Sequence, residues 1–236
     1  MHAQKRLCAV IPTYNERDNV ARLLDEVRKA AVPGITLLFV DDSSPDGTGE
    51  LIRKVTSRDP SVRLLVRGAK MGIGSAYQDG FREALSSISP DIIIEMDADL
   101  QHPPALIGEL VKAVEAGADV AIGSRYVPGG GVAGWSRLRR VVSIVGNSYA
   151  RILLGIKVWD ATSGFRAYTR ATAERVTDAA LPAKGFEFQV ASLYLLKGSR
   201  FAEVPYTFGA RVAGKSKLGM FDLARFFFSV MKIALS

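Results

Sequence analysis

The sequence predicts a single α/β domain on an open, mainly parallel sheet with helices on both faces. Three observations carry this expectation. Short apolar runs alternate with stretches of helical periodicity through the first half of the chain. Polar clusters follow the ends of those runs, where open parallel sheets bind ligands. The chain has 236 residues, 48% of them hydrophobic and 23% charged, and carries no repeat or low-complexity tract, which suits one full core.

The elements follow in order. Leu7 to Ile11 is a buried strand closed by Pro12, and Cys8 within it is a buried strand residue. Glu16 to Ala30 is helical through Val20, Leu23, Leu24 and Val27, and Pro33-Gly34 then breaks the chain. Ile35 to Val40 is the second strand. The turn Asp41-Asp42-Ser43-Ser44-Pro45-Asp46-Gly47 opens a helix over Thr48 to Thr56. Val62 to Val66 is the third strand, and the glycines from Gly68 to Gly74 give a tight entry to a helix over Gly74 to Ser86. Ile92 to Met96 is the fourth strand, followed by a helix over Pro104 to Ala116 and a fifth strand, Val120 to Gly123. Leu138 to Leu153 reads as a helix, and Met220 to Leu235 as an amphipathic one. That last segment either lies in a lipid interface or packs on the catalytic unit.

Charge is distributed unevenly. Residues 1–120 carry 14 Lys+Arg against 18 Asp+Glu, and residues 121–236 carry 17 against 6. A basic half attracts nucleic acid, anionic lipid or a phosphorylated small molecule. No RNA-recognition signature and little aromatic interleaving accompany these residues, so no nucleic acid is expected. The single cysteine rules out a disulfide framework. The polar start lacks the long apolar segment of a signal peptide, and no run reaches the length of a membrane span.

Asp97-Ala98-Asp99 closes the fourth strand. Strand alternation would send Asp97 and Asp99 to one face and small Ala98 back into packing. Two converging carboxylates repel unless they share a cation or a proton. Oxygen ligands without cysteine favour Mg²⁺ or Mn²⁺ over zinc, and Mg²⁺ held by two carboxylates usually completes its shell with substrate phosphates. A solvated turn is the other interpretation of a short acidic motif. Pro12-Thr13-Tyr14 and Asp41-Asp42 fall at neighbouring strand ends, so three polar clusters share one rim. The glycines near Lys70 match neither a phosphate loop nor a dinucleotide fingerprint, and Lys70 is either solvated or near a bound nucleotide. His102 is the local imidazole and is expected to cap the turn.

Several runs together carry a wider resemblance: Val10 to Glu16, Val40 to Thr48, Met96 to Asp99, Gly123 to Tyr126, Gly134-Trp135 with Arg139, Ser143 and Asn147, Ser163 to Arg166, Lys184 to Gln189, and Arg211 to Lys217. In this order the chain resembles the GT-A fold glycosyltransferases of family 2, and more narrowly the polyprenol-phosphate (dolichol-phosphate) mannose synthases. The resemblance implies a catalytic domain over residues 1–218 and a C-terminal amphipathic helix over 219–236. It implies a nucleotide-sugar site at Pro12, Tyr14, Glu16, Val40, Asp42, Asp97, Ala98, Asp99, Gln101, Arg211 and Lys217. A metal, Mg²⁺ or Mn²⁺, would be held by Asp97 and Asp99 with Gln101 in support. The acceptor phosphate would meet Arg125, Arg139 and Ser143, and Asp99, Arg125 and Arg139 would bear on the reacting groups. Arg139 and Ser143, four residues apart, share one helix face.

The implied reaction is metal-dependent, inverting transfer of mannose from GDP-mannose to a polyprenyl monophosphate, releasing GDP. A phosphate monoester is already largely ionised near neutral pH, its second pKa being about 6, so a strong general base is dispensable. Such an enzyme would work peripherally on the cytoplasmic membrane face, with a membrane-anchoring subunit or a downstream transmembrane segment as a further implied partner. UDP-glucose or another sugar nucleotide is the rival donor. A sugar nucleotidyltransferase and a non-catalytic nucleotide-sugar-binding subunit are the rivals of another class.

Overall fold

The protein is described by a computed structural model covering residues 4–209 and 220–235. Strand β1 (Leu7–Thr13) leads to helix α1 (Arg17–Ala30), β2 (Ile35–Asp41), α2 (Thr48–Thr56) and β3 (Val62–Val66). Helix α3 (Ile73–Glu83) ends in a π-helical turn over Ala84–Ile88 before β4 (Ile92–Glu95). A 3₁₀ turn at Pro104–Leu106 opens α4 (Ile107–Glu115), and β5 (Val120–Ser124), β6 (Gly131–Val132) and α5 (Arg137–Leu154) follow. The remainder comprises β7 (Arg166–Thr169), α6 (Arg170–Asp178), α7 (Phe188–Leu195), β8 (Phe201–Pro205), β9 (Thr207–Phe208) and α8 (Met220–Ala234).

Seven strands form one sheet in the order β3-β2-β1-β4-β7-β5-β8. Only β7 runs antiparallel to its neighbours β4 and β5, so the sheet is mainly parallel as expected. β6 and β9 pair separately as a short parallel ribbon. Alternation along β1 divides the core: Cys8 and Val10 face one side with Tyr77, Phe81 and Phe188, while Leu7, Ala9 and Ile11 face the other with Val20, Leu23 and Leu110. Both faces are covered, which is why these strands read as continuous apolar runs. Burial pushes the Cys8 thiol up to about 12, so it is an inert core residue.

Two of the boundary differences from the sequence reading bear on the site. β1 continues through Pro12 to Thr13, because Pro12 pairs with Val40 of β2 beyond Val10, the last residue paired to β4. The missing proline N–H therefore breaks no bond to β4. β4 ends at Glu95, so Asp97-Ala98-Asp99 lies on a turn and strand alternation does not set its side chains. No helix among the described residues is long and apolar enough to cross a membrane.

Candidate functional site

The rim at the carboxyl ends of β1, β2 and β4 is where the backbone departs from ordinary geometry. Asn15, Ser43 and Leu100, each just beyond one of these strands, have φ of 57°, 53° and 63°. Left-handed conformations at non-glycine residues cost energy and persist where surrounding contacts hold them. Here the contacts are visible. The Asn15 N–H donates to Ser44 Oγ at 3.0 Å, and Ser43 Oγ donates to the Arg67 carbonyl at 2.5 Å. Asp41 ties the rim together by accepting from Thr13 Oγ1, Ser44 Oγ and the Ser44 N–H.

Asp42 points elsewhere. Its Oδ1 accepts from Arg67 Nε at 2.6 Å and its Oδ2 from the Met71 N–H at 3.3 Å, in a buried pair. Arg67 also donates to Ser75 Oγ and Asp79 Oδ2, at 2.5 and 3.0 Å. Burial works against the Arg67 charge, but Asp42 and Asp79 outweigh it, so its pKa is raised. Sequence reasoning missed Arg67, although it directly follows β3, the same strand-end position that singled out the aspartates. Beside it, Lys70 Nζ sits 4.3 Å from the centre of the Tyr14 ring. Pro12 and Glu16 are partly exposed here; Glu16 Oε2 accepts from Asn19 Nδ2 at 2.7 Å. Val40 offers no side chain to a ligand: that side chain is fully buried in the core, packed with Val10 against Gly80, and only its backbone belongs to the rim.

On the β4 turn the two carboxylates have different surroundings. The Asp97 side chain is 32% exposed and Asp99 is 4% exposed. Asp97 Oδ1 accepts from Tyr77 OH at 3.0 Å, and Asp99 Oδ1 accepts from the Gln101 N–H at 3.1 Å. Ala98 is buried in the core as a small residue at that place requires. Gln101 donates its amide to the Gly209 carbonyl at 2.9 Å, which ties the turn to the end of the β9 segment. His102 Nδ1 accepts the Asp97 N–H at 3.0 Å, and its ring stacks on Phe165 at 5.0 Å. Burial pushes its pKa down to about 4, so the approach of Nδ1 to Asp97 Oδ2 at 3.7 Å is not an ion pair. The expected turn cap is what the imidazole forms.

Beneath this turn lies a polar floor. Glu95 accepts from Tyr168 OH at 2.9 Å and from Gln189 Nε2, and burial pushes its pKa up to about 7. Arg166, paired in register with Glu95, donates to Tyr168 OH, the Gln189 carbonyl, Ser192 Oγ and the Ala161 carbonyl. The conspicuous runs Ser163 to Arg166 and Lys184 to Gln189 thus brace the turn from within.

The acceptor-side residues are only partly as expected. Arg125 is buried and forms a bidentate pair with fully buried Asp160, at 2.7 and 2.6 Å, and donates to Thr162 Oγ1 at 2.8 Å. Burial opposes its charge, Asp160 more than offsets that, and its pKa is raised. The charge expected at a phosphate is therefore answered inside the protein by Asp160. Arg139 is exposed on the first turn of α5, its guanidinium 4.3 Å from the centre of the Trp135 ring. Ser143 Oγ shares a hydrogen bond with Tyr126 OH at 2.7 Å. A run of rings joins the two sides: His102 to Phe208 at 5.8 Å, then Phe208 to Trp135 at 5.5 Å. Arg211 and Lys217 lie outside the described residues.

An all-oxygen pair at Asp97 and Asp99 fits a hard divalent cation that takes its other ligands from phosphate and water. His102 Nδ1 accepts a backbone N–H, so in the neutral ring Nε2 carries the proton and neither nitrogen has a lone pair left for the cation. Among the described residues no group of three or more His, Cys, Asp or Glu forms a closed protein cage.

Similar proteins match this chain over most of its length. The polyprenol monophosphomannose synthase of Mycolicibacterium smegmatis is 42% identical over 96% of this chain and 86% of its own. The undecaprenyl-phosphate mannosyltransferase of Micrococcus luteus is 42% identical over 90% of this chain and 87% of its own. Among solved structures, glucosyl-3-phosphoglycerate synthase from Mycobacterium tuberculosis, in complex with Mn²⁺, UDP-glucose and glycerol 3-phosphate, superposes with a TM-score of 0.65. At 20% identity over 98% of this chain and 79% of that one, it establishes the shared fold. Residues 8–177, well over half of the chain, match the family described as glycosyl transferase family 2, and the chain belongs to that family.

Proposed function

We propose that this glycosyltransferase moves mannose from GDP-mannose to a polyprenyl monophosphate at a membrane surface, with a divalent cation, Mg²⁺ or Mn²⁺, at Asp97 and Asp99. The observation that carries the reading is the ring run His102, Phe208, Trp135, which joins the acidic turn to the arginines of α5. A donor held at the turn and an acceptor held at α5 would therefore meet over one wall. The names of the two similar mannosyl-transferring proteins agree with this substrate pair.

Each group then has a task. Tyr14, with Lys70 over its ring, and the Asp42–Arg67 pair border the nucleotide side. A cation held by the two aspartates offsets charge that develops on the leaving diphosphate. Tyr77 and the His102 cap fix the Asp97 carboxylate and backbone in place. Arg139, planar and permanently charged, can grip a phosphate with two parallel hydrogen bonds. The Asp160 pair holds Arg125 behind it. Neutral, capped His102 supplies no base, and an acceptor that is already ionised needs none.

The membrane surface has its own support. Leu138, Val141, Val145 and Ile152 lie along one exposed stripe of α5, opposite buried Asn147, Ala150 and Leu154. Phe228, Met231 and Leu235 form a matching exposed stripe on α8. The two helices touch through the Tyr149 and Phe227 rings at 4.9 Å. Such paired amphipathic helices suit a lipid interface.

The test is a panel of labelled sugar nucleotides assayed with a polyprenyl phosphate, with and without divalent cation. Labelled lipid from GDP-mannose only when the cation is present is the expected result. Product from UDP-glucose and none from GDP-mannose would move the assignment to that donor.

A further inference from the structure

Trp135 joins the acceptor side to the wall of rings, yet none of the roles above uses its polar atom. Its ring meets the Phe208 edge at 5.5 Å, carries the Arg139 guanidinium at 4.3 Å, and has that of Arg125 at 5.8 Å. Arg139 lies over the ring face, which leaves the in-plane N–H as the polar atom that these contacts do not use. That indole nitrogen is buried and has no hydrogen-bond partner among the described residues. Leaving a buried donor unmade costs about 1–3 kcal/mol, and such a group calls for a specific explanation.

A second observation points the same way. Ser136 caps α5, its hydroxyl accepting the Arg139 N–H at 3.3 Å. The first turn holds Arg137, Arg139 and Arg140 and no acidic residue. Cations at a helix N-terminus oppose the helix dipole, which favours an anion there. Three arginines gathered against that preference, beside an unmade N–H, describe a place completed by a bound anion.

We propose that the Trp135 indole N–H donates a hydrogen bond to the phosphate monoester of the acceptor, with the Trp135 ring orienting Arg139 toward the same phosphate. The inference rests on the acceptor assignment made above and adds a residue to it. The ring keeps a flexible arginine in one orientation, and the N–H recognises a tetrahedral anion that a lipid phosphate and inorganic phosphate share.

The test uses the indole itself. The chain has two tryptophans, so Trp159→Phe identifies the Trp135 resonance in an ¹H–¹⁵N spectrum of the full chain. Titration with farnesyl phosphate, without any sugar nucleotide, should move that N–H resonance downfield. Inorganic phosphate at higher concentration should move it in the same sense, and GDP should not. A resonance unmoved by saturating farnesyl phosphate, or moved only by GDP, would overturn the proposal, as would movement with inorganic phosphate alone, the mark of an adventitious anion. Trp135→Phe keeps a ring beneath Arg139 and removes the N–H. It should raise KM for the prenyl phosphate about tenfold, the loss expected for one bond to a charged group, and leave KM for the sugar nucleotide unchanged. An unchanged prenyl phosphate KM would also overturn it. A shifted indole in a protein that transfers no mannose would sink the donor assignment and leave this proposal standing. Mannose transfer with an unmoved indole would do the reverse.

Discussion

Asp42 illustrates how a residue chosen for a ligand can be bound first by the protein. Its partner Arg67 is buried and shared with Asp79, so removing the guanidinium strands an acidic group in the interior. Breaking one side of a buried pair typically costs about 3–5 kcal/mol. Arg67→Met is expected to lose about that much in urea denaturation, and Asp42→Asn in the same chain should restore part of it; a double variant no better than the single would refute the coupling. Two other buried groups make stability depend on pH in opposite directions. His102 is held neutral down to about 4, against an ordinary 6.5, so between those values the unfolded chain takes up a proton that the folded chain refuses. Its contribution is whole above 6.5 and is lost as pH falls toward 4. Glu95, pushed up to about 7 from 4.5, stays protonated in the fold, so its contribution is whole below 4.5 and is lost as pH rises through 7. The two offset one another between 4.5 and 6.5, and the melting temperature of the metal-free protein should vary little there. Glu95→Gln removes one of them. Its melting temperature, followed by calorimetry, should then drop on acidification across that range, and a slope equal to that of the unmodified chain would exclude the opposition.

At the scale of elements, the entry to α3 shows how closely the rim beyond β3 is packed on the segment that precedes α7. Gly72 has φ of 99°, and the Gly74 N–H donates to the Lys184 carbonyl at 2.8 Å. A Cβ on Gly74 would lie 2.4 Å from the Ala183 carbonyl oxygen and 2.7 Å from that of Gly185, both backbone atoms that cannot swing aside. Gly74→Ala should therefore destabilise by about 1–3 kcal/mol in denaturant titration. Gly68→Ala, with nothing within 4 Å of the new carbon, should change stability by no more than about 0.5 kcal/mol. Equal effects at the two positions would show that this packing is not what the glycines serve. The tight helix entry was legible in the sequence because glycine spacing is local. So were the strands β1 to β5, whose runs are mainly apolar. The antiparallel insertion of β7 was not, since Arg166 and Tyr168 make that short strand look polar until Glu95 and Gln189 are seen to answer them. Nor was the end of β4 two residues before Asp97, because Met96 is as apolar and as buried as the strand itself. The same limit applies to Arg125 and Asp160, 35 residues apart, whose pairing no local pattern announces.

Over the whole molecule, part of the basic excess of residues 121–236 falls on α5 and α8, which pack side by side: Arg137, Arg139, Arg140 and Arg151 belong to the first, Arg225 and Lys232 to the second. Arg137 and Arg140 are exposed on the same first turn as Leu138, so the apolar stripe begins beside cations, an arrangement that suits an anionic bilayer. Area and charge make separable contributions to such binding: the apolar part resists salt, while the cationic part is screened within about 8 Å at physiological ionic strength. Leu138 is 74% exposed and Phe228 67% exposed, so replacing both by glutamate removes apolar contact without opening the core. The double variant Leu138→Glu, Phe228→Glu is expected to fold with an unchanged melting temperature and to sediment at least tenfold less with vesicles containing anionic lipid. Turnover of a long-chain polyprenyl phosphate embedded in those vesicles should fall with it, whereas turnover of a short prenyl phosphate in solution should not. Raising salt should weaken vesicle binding of the unmodified chain only in part, leaving the apolar component. Equal losses on the embedded and the soluble acceptor would assign these residues to the reaction site, and undiminished sedimentation would remove this face from membrane docking.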